Sequence, residues 1–317
     1  MAHRVLVVDP RFKQTERRRF LSEYLPEGFE LVVPDSFERE ALLREAKTAS
    51  AIVTGFEPIT AEMMAAAPNL RVVGKAGTGV DSIDVAAATA KGIPVAHAPG
   101  WMRAVPVAEH AFALMLMVAR RPWLWPARER RLHVQLAGSA LGIVGLGNIG
   151  QAVAKRGAAF EMKILALTRT RGKFRPQGFE VEETETLEEL LPQADFLVLA
   201  LPLTPKSRGL IGRREFARMK KTAFLINVAR GGHVVTEDLI TALREGRIAG
   251  AGLDVADPDP LPEDHPLREM PNVVISPHVA ALTEGVQRTS YQLLCESIRR
   301  AVAGERVQSL ANPEVYR

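Results

Sequence analysis

Short apolar runs recur along the chain, and each is followed by a stretch with helical patterning. The early strand-like runs are Arg4–Asp9, Glu30–Val33, Ala51–Thr54, Arg71–Lys75 and Ile93–Ala96. A second series is Ala140–Gly145, Lys163–Leu167, Asp195–Leu199, Ala223–Asn227, Ala249–Asp254 and Val273–Ser276. Helical patterns between and after them include Ile149–Phe160, Glu237–Gly246 and Thr283–Ala303. This alternation predicts an α/β fold with parallel sheets and helices on both faces.

The two series of strands predict two domains. A chain of 317 residues is long for one hydrophobic core and comfortable for two. Turn-forming residues mark the junctions Ala98-Pro99-Gly100 and Ser276-Pro277-His278. We therefore expect one domain built from residues 1–98 and, after the last helix returns to it, 285–317. Residues 99–284 form the second domain.

Composition restricts the class of protein. Apolar residues make up 47% of the chain and charged residues 25%, which is typical of a soluble globular protein. The single cysteine, Cys295, excludes a disulfide framework and a cysteine-rich metal site, and we predict no metal.

The longest apolar run, Ala111–Ala119, is shorter than the roughly 20 residues that span a bilayer. The net charge of +4 comes from scattered basic residues without a nucleic-acid recognition motif. We expect a cytoplasmic protein with neither membrane nor nucleic acid as partner.

A glycine loop stands at the start of the second series. The strand-like run to Val144 leads directly into Gly145-Leu146-Gly147-Asn148-Ile149-Gly150, and a helical pattern follows. Gly145 permits the tight turn, Gly147 lets the backbone approach a pyrophosphate, and Gly150 lets the helix pack on the strand. In this strand–loop–helix context the motif predicts a dinucleotide site, with the phosphates at the helix N-terminus.

The end of the next strand indicates which dinucleotide. An NAD site usually has Asp or Glu there to bind the ribose 2′-hydroxyl. Here the strand ends in Thr168-Arg169-Thr170-Arg171, without a carboxylate. Because arginine binds a 2′-phosphate with paired hydrogen bonds, we predict NADP(H), with NAD(H) possible. The alternative interpretation is a solvated basic loop.

Three later segments place polar residues at strand ends, where ligands bind in open α/β sheets. They are Asn227–Gly232, Gly252–Pro260 and Ser276–Ala280. An arginine can bind a substrate carboxylate, a histidine can transfer a proton near neutral pH, and a carboxylate can orient that histidine. Each segment by itself is ambiguous, since a lone histidine in a loop is usually structural.

In this order the segments resemble the D-isomer-specific 2-hydroxyacid dehydrogenase family, which includes glyoxylate/hydroxypyruvate reductases and D-3-phosphoglycerate dehydrogenases. The resemblance runs from about Arg71 to Ala281. The further motifs that carry it are Gly77–Asp81, Val107–His110, Pro202–Pro205, Gly250–Asp254, His265–Leu267, Pro271–Val273 and Pro277-His278. It implies a Rossmann dinucleotide-binding domain inserted into a flavodoxin-like α/β substrate domain, an NAD(P)-dependent oxidoreductase and a homodimer.

The resemblance also implies roles by position. Arg230 resembles the family's substrate-binding arginine, His278 its general acid/base, and Asp259 the carboxylate that orients that histidine. Gly77, Thr78 and Gly79 resemble the loop that binds the substrate carboxylate together with Arg230 and His278. The predicted cofactor-binding residues are Gly145, Gly147, Asn148, Ile149, Gly150, Thr168, Arg169, Thr170, Arg171, Pro202, Val228 and Asp254. The implied reaction is hydride transfer from NADPH to C2 of a small 2-oxo acid such as glyoxylate or hydroxypyruvate, with His278 as proton donor.

The sequence departs from the family pattern near the site. Asp259 is one methylene shorter than the family's glutamate, and Asp257 competes with it as the partner of His278; the register with Pro260 favours Asp259. Ala280 stands where glycine is common, and Trp101-Met102-Arg103 replaces a small residue followed by asparagine. The segment Arg121–Ser139 is shorter than its counterpart, which leaves the dimer geometry open.

Two alternatives stand beside the reductase. A D-3-phosphoglycerate dehydrogenase has the same motifs. A non-catalytic NAD(P)-sensing binding protein has the same fold, but it has no need of the proton donor that His278 provides.

Overall fold

A computed structural model describes residues 2–13, 15–123 and 132–317. The chain divides into two compact units, one of residues 1–102 with 283–317 and the other of residues 103–282. Part of the segment Arg121–Ser139, residues 124–131, lies outside the described residues.

The first unit is built on a five-stranded parallel sheet. Its strands are β1 (His3–Val7), β2 (Phe29–Val32), β3 (Ala49–Thr54), β4 (Val72–Lys75) and β5 (Val95–His97). Its helices are α1 (Thr15–Tyr24), α2 (Arg39–Ala46), α3 (Ala61–Ala65), α4 (Val85–Ala90) and α11 (Glu284–Val302). The strand order β2-β1-β3-β4-β5 is that of flavodoxin-like folds.

Helix α11 packs on this sheet, although it comes last in the chain. Its buried side chains Tyr291, Leu294 and Ile298 lie on one face and join a core with the strands. Leu294 packs directly over Gly74 of β4, because a Cβ on Gly74 would stand only 2.7 Å from Leu294 Cδ1. Cys295 lies in the same core, where burial raises the pKa of its thiol to about 12. A thiol held in its neutral form is a poor nucleophile, so the one cysteine is structural.

The second unit is built on a seven-stranded parallel sheet. Its strands are β6 (Ala140–Val144), β7 (Lys163–Leu167), β8 (Glu182–Thr184), β9 (Phe196–Leu199), β10 (Phe224–Asn227), β11 (Gly250–Leu253) and β12 (Val273–Ile275). Its helices are α5 (Ala104–Arg120), α6 (Asn148–Ala159), α7 (Leu187–Leu190), α8 (Arg213–Arg218), α9 (Thr236–Arg244) and α10 (Pro266–Glu269). The order β12-β11-β10-β9-β6-β7-β8 reverses between β6 and β9, as in a Rossmann fold. The predicted fold class is confirmed.

Helices cover both faces of this second sheet. On β9, Phe196 and Val198 belong to the core that contains α5 and α6, whereas Leu197 and Leu199 belong to the core that contains α9. A strand that is buried on both faces has a continuous apolar sequence, and this is why β9 and β10 are recognisable in the sequence.

Within the described residues, the helical stretch Gly100–Arg120 is long and apolar enough to cross a membrane by length and composition. Much of that stretch, 61% of the window, lies buried inside the structure. Val107, Leu114 and Val118 of α5 are in the core that faces the second sheet. Packing against the sheet therefore accounts for the apolar composition of this helix.

Candidate functional site

The predicted polar segments of the second unit lie at one edge of its sheet. Gly145 follows β6, Thr168 follows β7, Arg230 comes shortly after β10, Asp254 follows β11, and His278 comes shortly after β12. All pairs of neighbouring strands are parallel, so these five strand ends share the same edge. The crevice between β6 and β9, where the strand order reverses, is the place where such sheets bind ligands.

The three glycines of the glycine loop differ in their surroundings. Gly145 has a φ of +99°, and a Cβ there would stand 2.6 Å from the carbonyl oxygen of Ala200. A Cβ on Gly150 would stand 2.0 Å from the carbonyl oxygen of Gly145. A Cβ on Gly147, in contrast, would have no described atom within 4 Å. The loop is therefore closed by backbone contacts at two glycines and open to a ligand at the third.

The N-terminus of α6 meets this open space. Gly147 is the N-cap residue, and no side chain among the described residues caps the helix there. The first amides of the helix, at Asn148, Ile149 and Gly150, thus lack the usual side-chain acceptor. Amides of this kind bind phosphate groups, with help from the helix dipole. The loop and the helix together fit the pyrophosphate of a dinucleotide.

The two arginines after β7 are not equivalent. Arg171 Nη1 donates to Glu185 Oε1 at 2.7 Å, and this hydrogen bond raises the pKa of the guanidinium. Arg169 is exposed and has no ion pair with any residue that the structure describes. The turn itself is held by Thr168, whose Oγ1 accepts from the amide of Thr170 at 3.3 Å. Arg169 is therefore the arginine available to a ligand at this strand end.

The loop after β10 is held by a buried asparagine. Asn227 is 1% exposed; its Oδ1 accepts from the amide of Ala229 at 3.1 Å, and its Nδ2 donates to the carbonyl oxygen of Arg230 at 3.0 Å. A Cβ on Gly231 would stand 1.8 Å from the carbonyl oxygen of Ala256, so the loops after β10 and β11 touch through backbone alone. These contacts fix the backbone on which Arg230 is carried. Val228, in the same loop, is buried.

His233, to which sequence reasoning gave no role, ties the loop after β9 to the loop after β10. Its Nδ1 lies 3.0 Å from the carbonyl oxygen of Ser207, and its Nε2 lies 3.1 Å from that of Leu201. Pro202, a predicted cofactor contact, is exposed between these two anchoring points. Its carbonyl oxygen accepts from Ser207 Oγ at 3.0 Å.

Asp254 organises the loop that follows β12. Its Oδ1 accepts from Ser276 Oγ at 2.7 Å and from the amide of Val279 at 2.9 Å, and its Oδ2 accepts from the amide of Ala280 at 3.0 Å. Burial opposes ionisation of this carboxylate, which is 2% exposed. The hydrogen bonds from His110, Ser276, Val279 and Ala280 outweigh burial and lower its pKa. Contact of Asp254 with a cofactor stays a prediction.

His278 lies at the tip of that loop. Its Nδ1 lies 2.7 Å from Asp259 Oδ2, and the two side chains are 28% and 35% exposed. Asp257, the competing partner, places its Oδ2 3.8 Å from Arg208 Nη1 instead. A carboxylate at Nδ1 favours the tautomer with its proton on that nitrogen, and Nε2 is then the nitrogen that exchanges a proton with a substrate.

His278 also has unusual backbone geometry. Its φ is +55°, in the left-handed region that residues with a side chain rarely adopt. Its amide donates to the carbonyl oxygen of Asp254 at 2.9 Å. Backbone strain held in place by surrounding contacts is typical of functional sites.

In the first unit, the predicted substrate loop follows β4. The Gly77 carbonyl oxygen accepts from the amide of Ala98 at 2.8 Å, and the Thr78 carbonyl oxygen lies 3.1 Å from His97 Nδ1. The hydroxyl of Thr78 is buried and has no hydrogen-bond partner among the described residues. Buried polar atoms are rarely left without a partner, and contact of this hydroxyl with a substrate stays a prediction.

The described residues contain no group of three or more His, Cys, Asp or Glu side chains that could hold a metal ion. Besides His233, sequence reasoning gave no role to Ser276 or His110, which contact Asp254. Their only sequence signals were the motifs Val107–His110 and Ser276–Ala280, in which nothing distinguishes a contact to Asp254 from ordinary packing.

A Rossmann unit with an open glycine loop defines a dinucleotide-binding protein, and a histidine–carboxylate pair lies at the same sheet edge. The sequence profile of the D-isomer specific 2-hydroxyacid dehydrogenase NAD-binding domain matches residues 106–280. The chain belongs to this family.

Curated relatives agree with this membership. A D-3-phosphoglycerate dehydrogenase from Methanocaldococcus jannaschii is 38% identical over 319 aligned positions, which cover 98% of this chain and 59% of the relative. The chain thus spans little more than half the length of that relative. A glyoxylate reductase from Thermococcus gammatolerans is 38% identical over 316 positions, which cover 93% of both chains.

A solved structure with the same architecture is that of an NADPH-dependent glyoxylate/hydroxypyruvate reductase from Sinorhizobium meliloti, in complex with NADP and malonate. It matches with a TM-score of 0.84 and 30% identity, over 99% of this chain and 98% of that one.

Proposed function

We propose that the protein is an NADP(H)-preferring D-2-hydroxyacid dehydrogenase that reduces a small 2-oxo acid such as glyoxylate or hydroxypyruvate. The observation that carries the proposal is the 2.7 Å contact between His278 Nδ1 and Asp259 Oδ2. The pair lies at the sheet edge that also bears the open glycine loop. A site that only binds a dinucleotide needs the loop but not the pair.

The residues take the following roles in this proposal. When bound, the nicotinamide supplies a hydride to C2 of the 2-oxo acid. Protonated His278 donates a proton to the carbonyl oxygen as that oxygen becomes a hydroxyl, and Asp259 keeps the imidazole oriented. Arg230 binds the substrate carboxylate and stabilises negative charge on the carbonyl oxygen. The reverse oxidation uses neutral His278 as the base.

In this proposal the Gly77–Gly79 loop binds the substrate carboxylate in addition to Arg230. The backbone amides of this loop are the proposed donors to that carboxylate, since successive backbone amides can bind an anion. The buried hydroxyl of Thr78, which lacks a partner among the described residues, adds a further hydrogen-bond donor. A hydroxyl that donates to a carboxylate forms a charge-assisted hydrogen bond, which is stronger than one to water.

The proposed preference for NADPH rests on the end of β7. No carboxylate follows this strand, and Arg169 is exposed without an ion pair to a described residue. Arg171 contributes less in this proposal, because it is already paired with Glu185. The structurally similar S. meliloti reductase is NADPH-dependent, and its structure contains NADP.

The test is a steady-state screen that follows oxidation of NADPH and, separately, of NADH. The substrates are glyoxylate, hydroxypyruvate, pyruvate, 2-ketogluconate and phosphohydroxypyruvate. We expect turnover of glyoxylate or hydroxypyruvate, with a kcat/KM for NADPH at least about tenfold above that for NADH. A higher kcat/KM with NADH would overturn the cofactor preference. Absence of turnover with every substrate, together with intact NADPH binding, would favour the non-catalytic sensor.

A second candidate is a D-3-phosphoglycerate dehydrogenase. The observation that favours it is the M. jannaschii relative of that name, which matches 98% of this chain. Phosphohydroxypyruvate in the same screen separates the two candidates, since this candidate requires it to have the highest kcat/KM of the panel.

We also propose a cytoplasmic homodimer with no nucleic-acid or membrane partner. Family membership supports the dimer, and light scattering after size-exclusion chromatography measures its mass. A monomeric mass across micromolar concentrations would reject the dimer.

A further inference from the structure

Three side chains from separate elements of the second unit are connected by hydrogen bonds. His110 Nε2 lies 2.7 Å from Ser276 Oγ, and Ser276 Oγ lies 2.7 Å from Asp254 Oδ1. His110 belongs to α5, Asp254 follows β11 and Ser276 follows β12. His110 Nε2 is also 3.4 Å from Asp254 Oδ1. The roles proposed above use neither His110 nor Ser276.

The direction of each hydrogen bond follows from the chemistry of the groups. An ionised carboxylate only accepts, so Ser276 donates its one hydroxyl proton to Asp254. The serine oxygen can then only accept from His110. The proton of this contact is therefore on His110 Nε2, which fixes the tautomer of the neutral ring.

These hydrogen bonds end at the carboxylate of Asp254, which holds the loop that carries His278. Asp254 receives the amides of Val279 and Ala280 on its side chain and the amide of His278 on its backbone carbonyl. His278 itself has the left-handed φ of +55°, which is unfavourable for a residue with a side chain. Such a conformation persists only where neighbouring contacts hold it.

We propose that His110 is a positioning residue, which acts through Ser276 and Asp254 to hold the loop that presents His278 for proton transfer. This inference rests on the proposed function, from which the proton-transfer role of His278 is taken. The order of the loop can be measured without activity. In this proposal His110 acts on Ser276 and Asp254, which hold the loop, and not on the proton-transferring pair of His278 and Asp259.

A purely architectural role for His110 is the competing explanation. Helix α5 is anchored by ten buried residues, among them Ala111, Leu114 and Met115, which face the core. His110 is not one of these ten buried residues, and its side chain is 23% exposed. The helix therefore has no need of a hydrogen bond to Ser276, whereas the loop after β12 is held largely by Asp254.

The experiment compares His110→Phe, which keeps a ring but removes the donor, with His110→Gln, whose amide nitrogen can reach the position of Nε2. We expect H110F to lower kcat for the preferred 2-oxo acid about 10- to 100-fold, with the Kd for NADPH changed less than about twofold. H110Q should recover most of the lost rate. Glu109→Gln, the neighbouring exposed position on α5, is the matched control and should keep the wild-type kcat.

A double-mutant cycle tests whether His110 acts through Ser276. Ser276→Ala should lower kcat by a similar factor, and H110F/S276A should be no slower than S276A alone. Additive losses would overturn the proposed route through Ser276.

Amide hydrogen exchange tests positioning without any turnover. In H110F the amides of Val279 and Ala280 should exchange at least about tenfold faster than in the wild type, while the amides of β10 keep their rates. Unchanged exchange at Val279 and Ala280 would overturn the proposal even if kcat fell. If the wild-type protein reduced no 2-oxo acid, the proposed function would fail, and faster exchange in H110F would still support the positioning role.

Discussion

Gly150 lies against Gly145 so closely that a Cβ on Gly150 would stand 2.0 Å from the Gly145 carbonyl oxygen. The loop between β6 and α6 therefore depends on a backbone contact that no other residue permits. Gly147 lies between them with a φ of −77°, which alanine adopts freely, and with no described atom within 4 Å of its would-be Cβ. We therefore expect substitution of Gly150 to affect folding and substitution of Gly147 to affect cofactor binding.

Gly150→Ala should destabilise the protein by more than about 2 kcal/mol, because the added methyl group must displace backbone. Gly147→Ala should leave the midpoint of thermal unfolding within about 2 °C of the wild type but weaken NADPH binding at least about tenfold, because its methyl group fills the space for the pyrophosphate. Calorimetry without cofactor and fluorescence titration with NADPH measure the two effects. Equal NADPH affinity in Gly147→Ala and the wild type would argue against a phosphate site there.

The pairing of His278 with Asp259 predicts different results for the two neighbouring aspartates. Asp259→Asn should lower kcat about 100-fold, since the amide no longer fixes the tautomer of the imidazole. Asp257→Asn should keep kcat within about twofold, because that carboxylate faces Arg208 at 3.8 Å. Steady-state kinetics at neutral pH measures both. A greater loss in Asp257→Asn than in Asp259→Asn would exchange their roles.

The environment of the two arginines after β7 predicts unequal effects on cofactor choice. Arg169→Ala should lower kcat/KM for NADPH about 10- to 100-fold and leave the value for NADH unchanged, because only the 2′-phosphate is lost as a partner. Arg171→Ala should have a smaller effect, since its guanidinium already binds Glu185. If the NADPH preference dropped only in Arg171→Ala, the phosphate contact would belong to that residue.

The hydroxyl of Thr78 has no hydrogen-bond partner among the described residues. We therefore expect its removal to weaken substrate binding without lowering the free energy of unfolding. Thr78→Val keeps the shape of the side chain and removes a buried polar atom that has no partner among the described residues. The free energy of unfolding should therefore stay equal or rise. KM for the 2-oxo acid should rise about 5- to 10-fold, because the substrate loses a hydrogen-bond donor. Thr78→Ser retains the hydroxyl and is the control; a KM unchanged in Thr78→Val would remove Thr78 from the substrate site.

The sequence predicted much of the architecture, because strands buried on both faces leave a continuous apolar run. The predicted bounds of β7, Lys163–Leu167, match the structure, and the predicted Ala223–Asn227 differs from β10 by one residue. In contrast, β8 has the sequence Glu182–Thr184, where only Thr184 is buried. An edge strand with so little burial has no apolar pattern to recognise.

The sequence predicted the parts of the site that local motifs and strand ends determine, but not the contacts between loops. Strand ends in a parallel sheet share an edge, which is why Arg230, Asp254 and His278 could be placed there from sequence. The hydrogen bond of Arg171 to Glu185 and that of Ser276 to Asp254 join residues in loops that follow different strands. No spacing rule specifies such contacts, because they depend on side-chain packing after the sheet has formed.

The lowered pKa of Asp254 predicts how acid affects stability. A carboxyl whose pKa is lower in the folded state stabilises that state while it is ionised. Its contribution is therefore complete above the unfolded pKa of about 4 and is lost as the pH falls through the lower folded value. At pH 7, Asp254→Asn should reduce the free energy of unfolding by about 3 kcal/mol, since the amide nitrogen cannot accept from Val279 or Ala280. Urea unfolding at pH 7, 5 and 3 should show this difference shrinking only at the lowest pH, whereas the exposed Asp264→Asn should follow the wild type throughout. A difference that grew on acidification would mean that the protonated form of Asp254 is the one that the fold stabilises.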